Sequence, residues 1–162
     1  MRAQHQKFKH DPDNDIFGDC HRTAIAMLLD MDRDSVPHFG FQARGGVEFH
    51  ERVDDWLESI GMTQISICCT GNLNLDSVLD HVEAMNGPGL VFLLGGKSPR
   101  GDFNHTVVAG DGKVLLDPHP SGDGLAGPCV PSDLWWITFV VKKDFVRRSN
   151  IGAVQLALPL GL

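Results

Sequence analysis

The stretch that decides the fold runs from Asn104 to Asp117, NHTVVAGDGKVLLD, with two runs of β-forming residues around a Gly-Asp-Gly sequence at 110–112. A three-residue loop of this composition predicts a β-hairpin with a type I turn and a G1 bulge. In that register His105 directly faces Asp117, so the imidazole and the carboxylate share one face at the open end of the hairpin. A turn made by 111–112 alone would shift the register and send the two side chains to opposite faces.

Helical patterns precede this hairpin, and strand patterns flank it. Apolar residues at helical spacing predict helices, and short β-rich runs between Gly and Pro predict strands. We expect helices over CHRTAIAMLLD (20–30), VEFHERVDDWLESI (47–60) and LDSVLDHVEAM (75–85), and strands over ISICC (65–69), GLVFLLGG (89–96), HTVVA (105–109), KVLLD (113–117) and LWWITFVVKK (134–143). This order predicts an α+β domain, in which a buried N-terminal helix packs on an antiparallel sheet. We expect a single domain over 1–162, with 1–12 and 146–162 as flexible or docking tails.

Composition and charge exclude several classes of protein. The chain has 162 residues and a formal net charge of −7, and 14 of its 21 acidic residues lie in the first half. A protein that binds nucleic acid through phosphates needs clustered Lys and Arg, so we expect no nucleic-acid partner. The polar first fifteen residues do not resemble a leader, and no apolar run is long enough to span a membrane. Four irregularly spaced cysteines do not form a disulfide framework, so we expect a cytoplasmic protein.

Cys20 is the candidate nucleophile. Gly18 permits a sharp entry into the first helix, Asp19 is a candidate N-cap, and Cys20 then lies in the first turn. The positive end of the helix dipole and the unpaired amides there favour the thiolate form. A histidine held by a carboxylate on one ring nitrogen has the other nitrogen available for proton transfer, so His105 and Asp117 complete the set.

These segments resemble the papain-like cysteine hydrolases. The resemblance rests on GDC at 18–20 opening an apolar helix and on NHTVVAGDGKVLLDPH at 104–119. Within that superfamily the chain looks most like small phage-encoded papain-like proteins, through VPHF at 36–39 and DGKVLLDPHPSG at 111–122.

The resemblance implies an α+β papain-like fold and a cysteine hydrolase that cleaves an amide, peptide or isopeptide bond without a cofactor. It implies Cys20 as nucleophile, His105 as base and acid, and Asp117 as the orienting carboxylate. Asn14 stands six residues before the cysteine, where the superfamily places a Gln that helps to bind the oxyanion. The implied partner is a peptide or protein substrate in the host cytoplasm, with a monomer or small homo-oligomer as the active form.

Other roles remain open for several residues. His119 competes with His105 as the base, or else contacts substrate at the rim, and a zinc site built from Cys20, His105 and His119 is a further alternative without supporting spacing. Trp135 and Trp136 alternate on a strand, so one is expected in the core and the other in a wall of the cleft. Asp19, His119 and Trp135 are included among the substrate-binding candidates.

Two other functions use the same residues. An acyltransferase of the transglutaminase type would pass the acyl group to an amine instead of water. A phage-encoded binding protein that antagonises a host factor would keep the fold with little turnover. Sequence does not separate these from a hydrolase, because cleft shape and exclusion of water decide the acceptor.

Overall fold

One five-stranded antiparallel sheet organises the chain in the computed structural model, which describes residues 1–14 and 16–146. The helices are α1 (Cys20–Leu28), α2 (Gly46–Ser59), α3 (Leu75–Asn86) and a final turn α4 (Lys143–Val146). The strands are β1 (Met62–Thr70), β2 (Val91–Lys97), β3 (Asn104–Gly110), β4 (Lys113–Leu116) and β5 (Leu134–Lys142). Their order in the sheet is β1-β5-β2-β3-β4, and all the pairings are antiparallel. The predicted α+β class and antiparallel sheet are confirmed.

Helix α1 packs on one face of the sheet as its composition predicts. Its residues 22–27 are all buried, in agreement with an apolar surface nearly all round. Together with α2 it covers Leu93 of β2 and Val108 of β3 in a first core cluster. Helix α3 packs on the opposite face, where Val107 and Trp135 belong to a second cluster. The sheet therefore has two cores, and the first of them fixes the start of α1.

Helix ends follow local signals. Gly61 follows the C-cap residue Ile60 of α2 with φ +75°, as expected of a glycine that stops a helix. The Asn74 side chain caps α3 by accepting from the amide of Ser77 at 2.8 Å. No helix in the described part of the chain is long and apolar enough to cross a membrane.

The N-terminal segment is fastened to the rest of the domain. The Gln4 side chain donates to Met31 O at 2.7 Å, and the backbone N–H of Gln6 donates to Pro118 O at 2.8 Å. The Phe8 amide donates to the Asp19 carboxylate at 2.8 Å. Residues 4–8 therefore form an arm beside the start of α1. The predicted C-terminal tail lies, from residue 147 onward, outside the described residues.

Candidate active site

The β3–β4 hairpin differs from its predicted register. Asp111 and Gly112 alone form the turn, with φ +49° and +67°, the signs that a type I′ turn requires. The register shifts between Val108 and Ala109, because Leu115 is an extra residue on β4. The predicted three-residue loop is therefore wrong, and a bulge near the middle of the hairpin takes its place.

The bulge reverses the consequence expected of a two-residue turn. A turn shorter by one residue would shift the register of β4 and place Asp117 on the face opposite His105. The extra residue of the bulge shifts the register by one more position and returns Asp117 to the face of His105. Val108 pairs with Leu116, so Asp117 continues opposite Val107 on the face that carries His105. His105 Nε2 lies 2.7 Å from Asp117 Oδ1. The predicted pairing of these two side chains is thus observed, as diagonal neighbours instead of directly facing residues.

Asp117 is held as a carboxylate by the loop that follows it. The amide of His119 donates to Oδ1 at 2.7 Å, and the amide of Gly124 donates to Oδ2 at 2.8 Å. Burial opposes the charged form, but hydrogen bonds from His105 and these two amides outweigh it and lower the pKa of Asp117. The carboxylate is fixed in position and aimed at Nε2 of the imidazole.

His105 connects this carboxylate to the start of α1. Its side chain is 3% exposed, and Cys20, the first residue of α1, is half-buried. Burial disfavours the imidazolium, but hydrogen bonding to Asp117 and Cys20 outweighs it and raises the pKa of His105 to about 9. Because Asp117 occupies Nε2, Nδ1 is the nitrogen that remains for proton exchange with the thiol. Cys20 and His105 line the same two cavities, so the thiol, the imidazole and the carboxylate lie next to one another.

These two cavities meet at Cys20 and His105. The larger one, about 650 Å³, we call the long cavity. The smaller one, about 300 Å³, we call the short cavity. Gly18, Cys20, Asn104 and His105 line both of them. A bond placed over Cys20 therefore has space for a chain on either side.

The structure corrects the assignment of Asn14. Its side chain is exposed, donates to Asp11 Oδ2 at 2.7 Å and lines neither cavity. The short 3₁₀ turn Pro12–Asn14 carries it away from Cys20.

Two side-chain amides line the short cavity together with Cys20, those of Gln6 and Asn104. The backbone of Val130 engages both amide atoms of Asn104, whereas Gln6 Nε2 donates to Phe8 O at 2.7 Å and keeps a second hydrogen. Sequence reasoning missed Gln6 because it lies fourteen positions before Cys20, in a segment with no regular element beyond a short 3₁₀ turn.

Asp19 has a structural role beside the site. It stands at the N-cap position of α1 as predicted, but its side chain makes no cap hydrogen bond. The buried carboxylate instead accepts from Arg22 Nε at 2.8 Å and from the amides of Lys7 and Phe8. Asp19 therefore joins the N-terminal arm to α1 and does not line either cavity.

Trp135 and Trp136 divide as expected of alternating residues, but the candidate among them is corrected. Trp135 is 1% exposed, belongs to the second core and donates its indole N–H to Leu73 O at 2.9 Å. Trp136 is 43% exposed and lines the long cavity. Trp136, and not Trp135, is the tryptophan that contacts the cleft.

His119 lies at the rim of the short cavity. Its ring Nδ1 is 2.7 Å from Ser121 Oγ, and burial, Arg100 and Lys9 lower the pKa of its imidazole. Asp117 accepts from its backbone, whereas the same carboxylate holds the ring of His105. This favours His105 as the base. No group of three or more His, Cys, Asp or Glu within residues 1–14 and 16–146 is arranged to hold a metal ion.

Three further histidines that the sequence left without a role lie at the two cavities. His10 lines the short cavity, and His21 and His50 line the long one. Burial and the nearby His50 lower the pKa of His21 to about 4, so its ring is neutral at pH 7. The ring nitrogen Nδ1 of His21 lies 3.2 Å from Thr106 Oγ1, and this contact directs the ring away from the sulfur of Cys20.

The other cysteines differ in environment from Cys20. Cys129 is buried, and burial raises the pKa of its thiol to about 11. Cys68 is exposed on β1, and burial together with Cys68 raises the pKa of Cys69. Only Cys20, of these four, lies beside a paired imidazole in the described structure.

The comparisons with known proteins give no further assignment. No protein family, curated protein or solved structure matches this chain. The arrangement defines a candidate thiol site through its geometry alone: a nucleophile at a helix start, a buried imidazole and a fixed carboxylate.

Proposed function

We propose that the protein is a cysteine hydrolase that cleaves an amide-type bond through Cys20, His105 and Asp117. The observation that carries the proposal is the position of His105, which is buried between a fixed carboxylate and the thiol at the junction of two cavities. A histidine so held has one nitrogen oriented and the other directed at the nucleophile. The resemblance to papain-like enzymes agrees with a helix-borne cysteine and a sheet-borne histidine.

The reaction follows from these positions. The thiol proton passes to His105 Nδ1, and the Cys20 sulfur attacks the substrate carbonyl, whose oxygen becomes an oxyanion. The backbone N–H of Cys20, unpaired at the helix start, and Gln6 Nε2 are the donors for that oxyanion. His105 then protonates the leaving amine as the carbon–nitrogen bond breaks, and a thioester remains on Cys20. Water attacks the thioester, His105 accepts its proton, and the carboxylic product leaves with the sulfur restored.

An activated ester tests this proposal without knowledge of the substrate. With p-nitrophenyl acetate, we expect a burst of p-nitrophenol and one acetyl group on Cys20, measured by stopped-flow absorbance and intact-protein mass spectrometry. Cys20→Ala abolishes the burst, and His105→Ala slows it by roughly 10²- to 10⁴-fold, the usual range for general acid–base catalysis. Cys68→Ala is the matched control and keeps the burst, because this exposed cysteine lines neither cavity. Acetylation that is equal in wild type and His105→Ala would refute the proposal.

A further inference from the structure

Apart from the residues that line both, the two cavities that meet at Cys20 carry side chains of opposite charge. In the long cavity Asp54 of α2 accepts from the uncharged amide of Gln64 at 2.8 Å. The other paired acids of α2 have cationic partners, since Glu48 contacts Arg52 and Glu58 contacts Lys143. Within residues 1–14 and 16–146 Asp54 makes no ion pair, so its carboxylate faces the cavity with the Gln64 amide as its polar partner.

The short cavity is positive. Lys9 and Arg100 both line it, and the guanidinium of Arg100 lies 3.8 Å from Asp123. Lys9 makes no ion pair within residues 1–14 and 16–146. At the rim of this cavity, burial together with these two cations lowers the pKa of the His119 imidazole, in agreement with a positive potential there. An anionic group is the complement of this cavity.

The dimensions of the sheet set the distance between Asp54 and the reacting bond. Gln64 lies on β1, three strands from Thr106 of β3, in a face that also carries Trp136. Three strand spacings are about 14 Å, and the offset along the strands lengthens the diagonal path to about 19 Å. An extended chain covers that distance in about six residues, or in about four where a long Lys or Arg side chain spans the last part.

We propose that the site selects an extended peptide whose charge changes sign across the reacting bond. A Lys or Arg side chain lies about four to six residues from the bond in the long cavity, and an acidic group lies close to it in the short cavity. This specificity rests on the proposed function, in which Cys20 marks the reacting bond. Trp136 provides an apolar and cation-attracting wall along the path.

Binding to the Cys20→Ala protein tests the proposal, because this variant binds without cleaving. The probes are two twelve-residue Ala/Ser peptides with blocked termini, one with two Lys in the first half and two Glu in the second, the other with these exchanged. We expect calorimetry at low salt to give Kd values that differ by about tenfold between these isomers of equal composition. The difference decreases at high salt, since the charges are partly exposed.

Charge-reversal variants test which residues cause the preference for one peptide isomer. Asp54→Lys and Lys9→Glu each weaken binding of the preferred isomer, and the double variant reverses the preference. Asp55→Lys and Lys7→Glu are the matched controls, because they change the same charges at exposed neighbours that line neither cavity. Equal binding of the isomers, no binding of either, or an Asp54→Lys effect equal to that of Asp55→Lys overturns the proposal. Failure of acylation at Cys20 would instead reject the proposed function, since this assay requires no turnover.

Discussion

At the scale of single residues, the site depends on which amide and which imidazole stand beside the sulfur. Gln6 reaches the short cavity through the N-terminal arm, whereas Asn14 is directed to solvent and to Asp11. His105 is selected over His119 because Asp117 binds the ring of one and the backbone of the other. These differences in hydrogen bonding support the roles proposed for Gln6 and His105.

Replacement of Gln6 and Asn14 separates the two candidate oxyanion donors. Gln6→Ala is expected to slow acylation of Cys20 by about 10²-fold, because one positioned donor is lost from the developing negative charge. Asn14→Ala is expected to leave the acylation rate unchanged. Stopped-flow acylation of both variants, with thermal unfolding as a control for folding, measures the difference. A larger loss in Asn14→Ala would contradict the assignment.

At the scale of elements, the start of α1 and the end of the hairpin must be held together. Asp19 ties α1 to the arm through Arg22 and the amides of residues 7 and 8. The bulge at Leu115 returns Asp117 to the face of His105. Neither the Asp19 contacts nor the bulge residue Leu115 lines a cavity, but both set where Cys20, His105 and Asp117 lie relative to one another.

Asp19→Ala is expected to destabilise the whole domain. Removing the carboxylate leaves the buried guanidinium of Arg22 without its closest partner, which costs about 3–5 kcal/mol in the free energy of unfolding. The arm also loses two hydrogen bonds, so acylation slows in the folded variant. Urea unfolding measures the first effect and the acylation burst the second. The control Asp34→Ala removes exposed contacts with Arg22 and Arg33 and is expected to change stability little. An equal loss in both variants would count against this role of Asp19.

The hairpin also shows how far sequence patterns predict this fold. The strands and the helices follow from apolar periodicity. The contact of His105 with Asp117 is predicted from a three-residue loop, but the structure forms it through a two-residue turn and a bulge. The bulge does not follow from the sequence, because the run Val114–Leu116 has the same apolar character in either register. The arm does not either, since polar residues without periodicity carry no signal for where they dock. The arm is held by long-range hydrogen bonds, in which the backbone amides of Lys7 and Phe8 donate to the Asp19 carboxylate, and these position Gln6 at the site.

At the scale of the whole molecule, two cores enclose the sheet and one end of it carries the site. Charged residues are unevenly distributed around this site. The acidic helix α2 borders the long cavity, whereas Lys9 and Arg100 border the short one. The buried His105 and Asp117 lie between these regions. Their ionisation therefore contributes to the stability of the complete fold as well as to chemistry.

Acid unfolding is expected to report the paired state of Asp117. Its pKa is lowered in the folded protein, so the native state binds fewer protons than the unfolded chain and loses this stabilisation as the pH falls below about 4. Asp117→Asn removes this contribution, and its stability declines less steeply from pH 5 to pH 2. Urea midpoints across this range, with Asp111→Asn as the control, measure the slopes. Parallel slopes in wild type and Asp117→Asn would show that Asp117 is unpaired.

The alkylation rate of Cys20 across pH tests the account most directly. At pH 7 iodoacetamide should label Cys20 ahead of Cys68, Cys69 and Cys129, and His105→Ala should suppress that labelling. The pKa of His105 is about 9, so the imidazolium that favours the thiolate is present below this pH and lost above it. The advantage of wild type over His105→Ala should therefore vanish as the pH rises through about 9. Equal labelling of all four cysteines, unaffected by His105→Ala, would contradict the central claim.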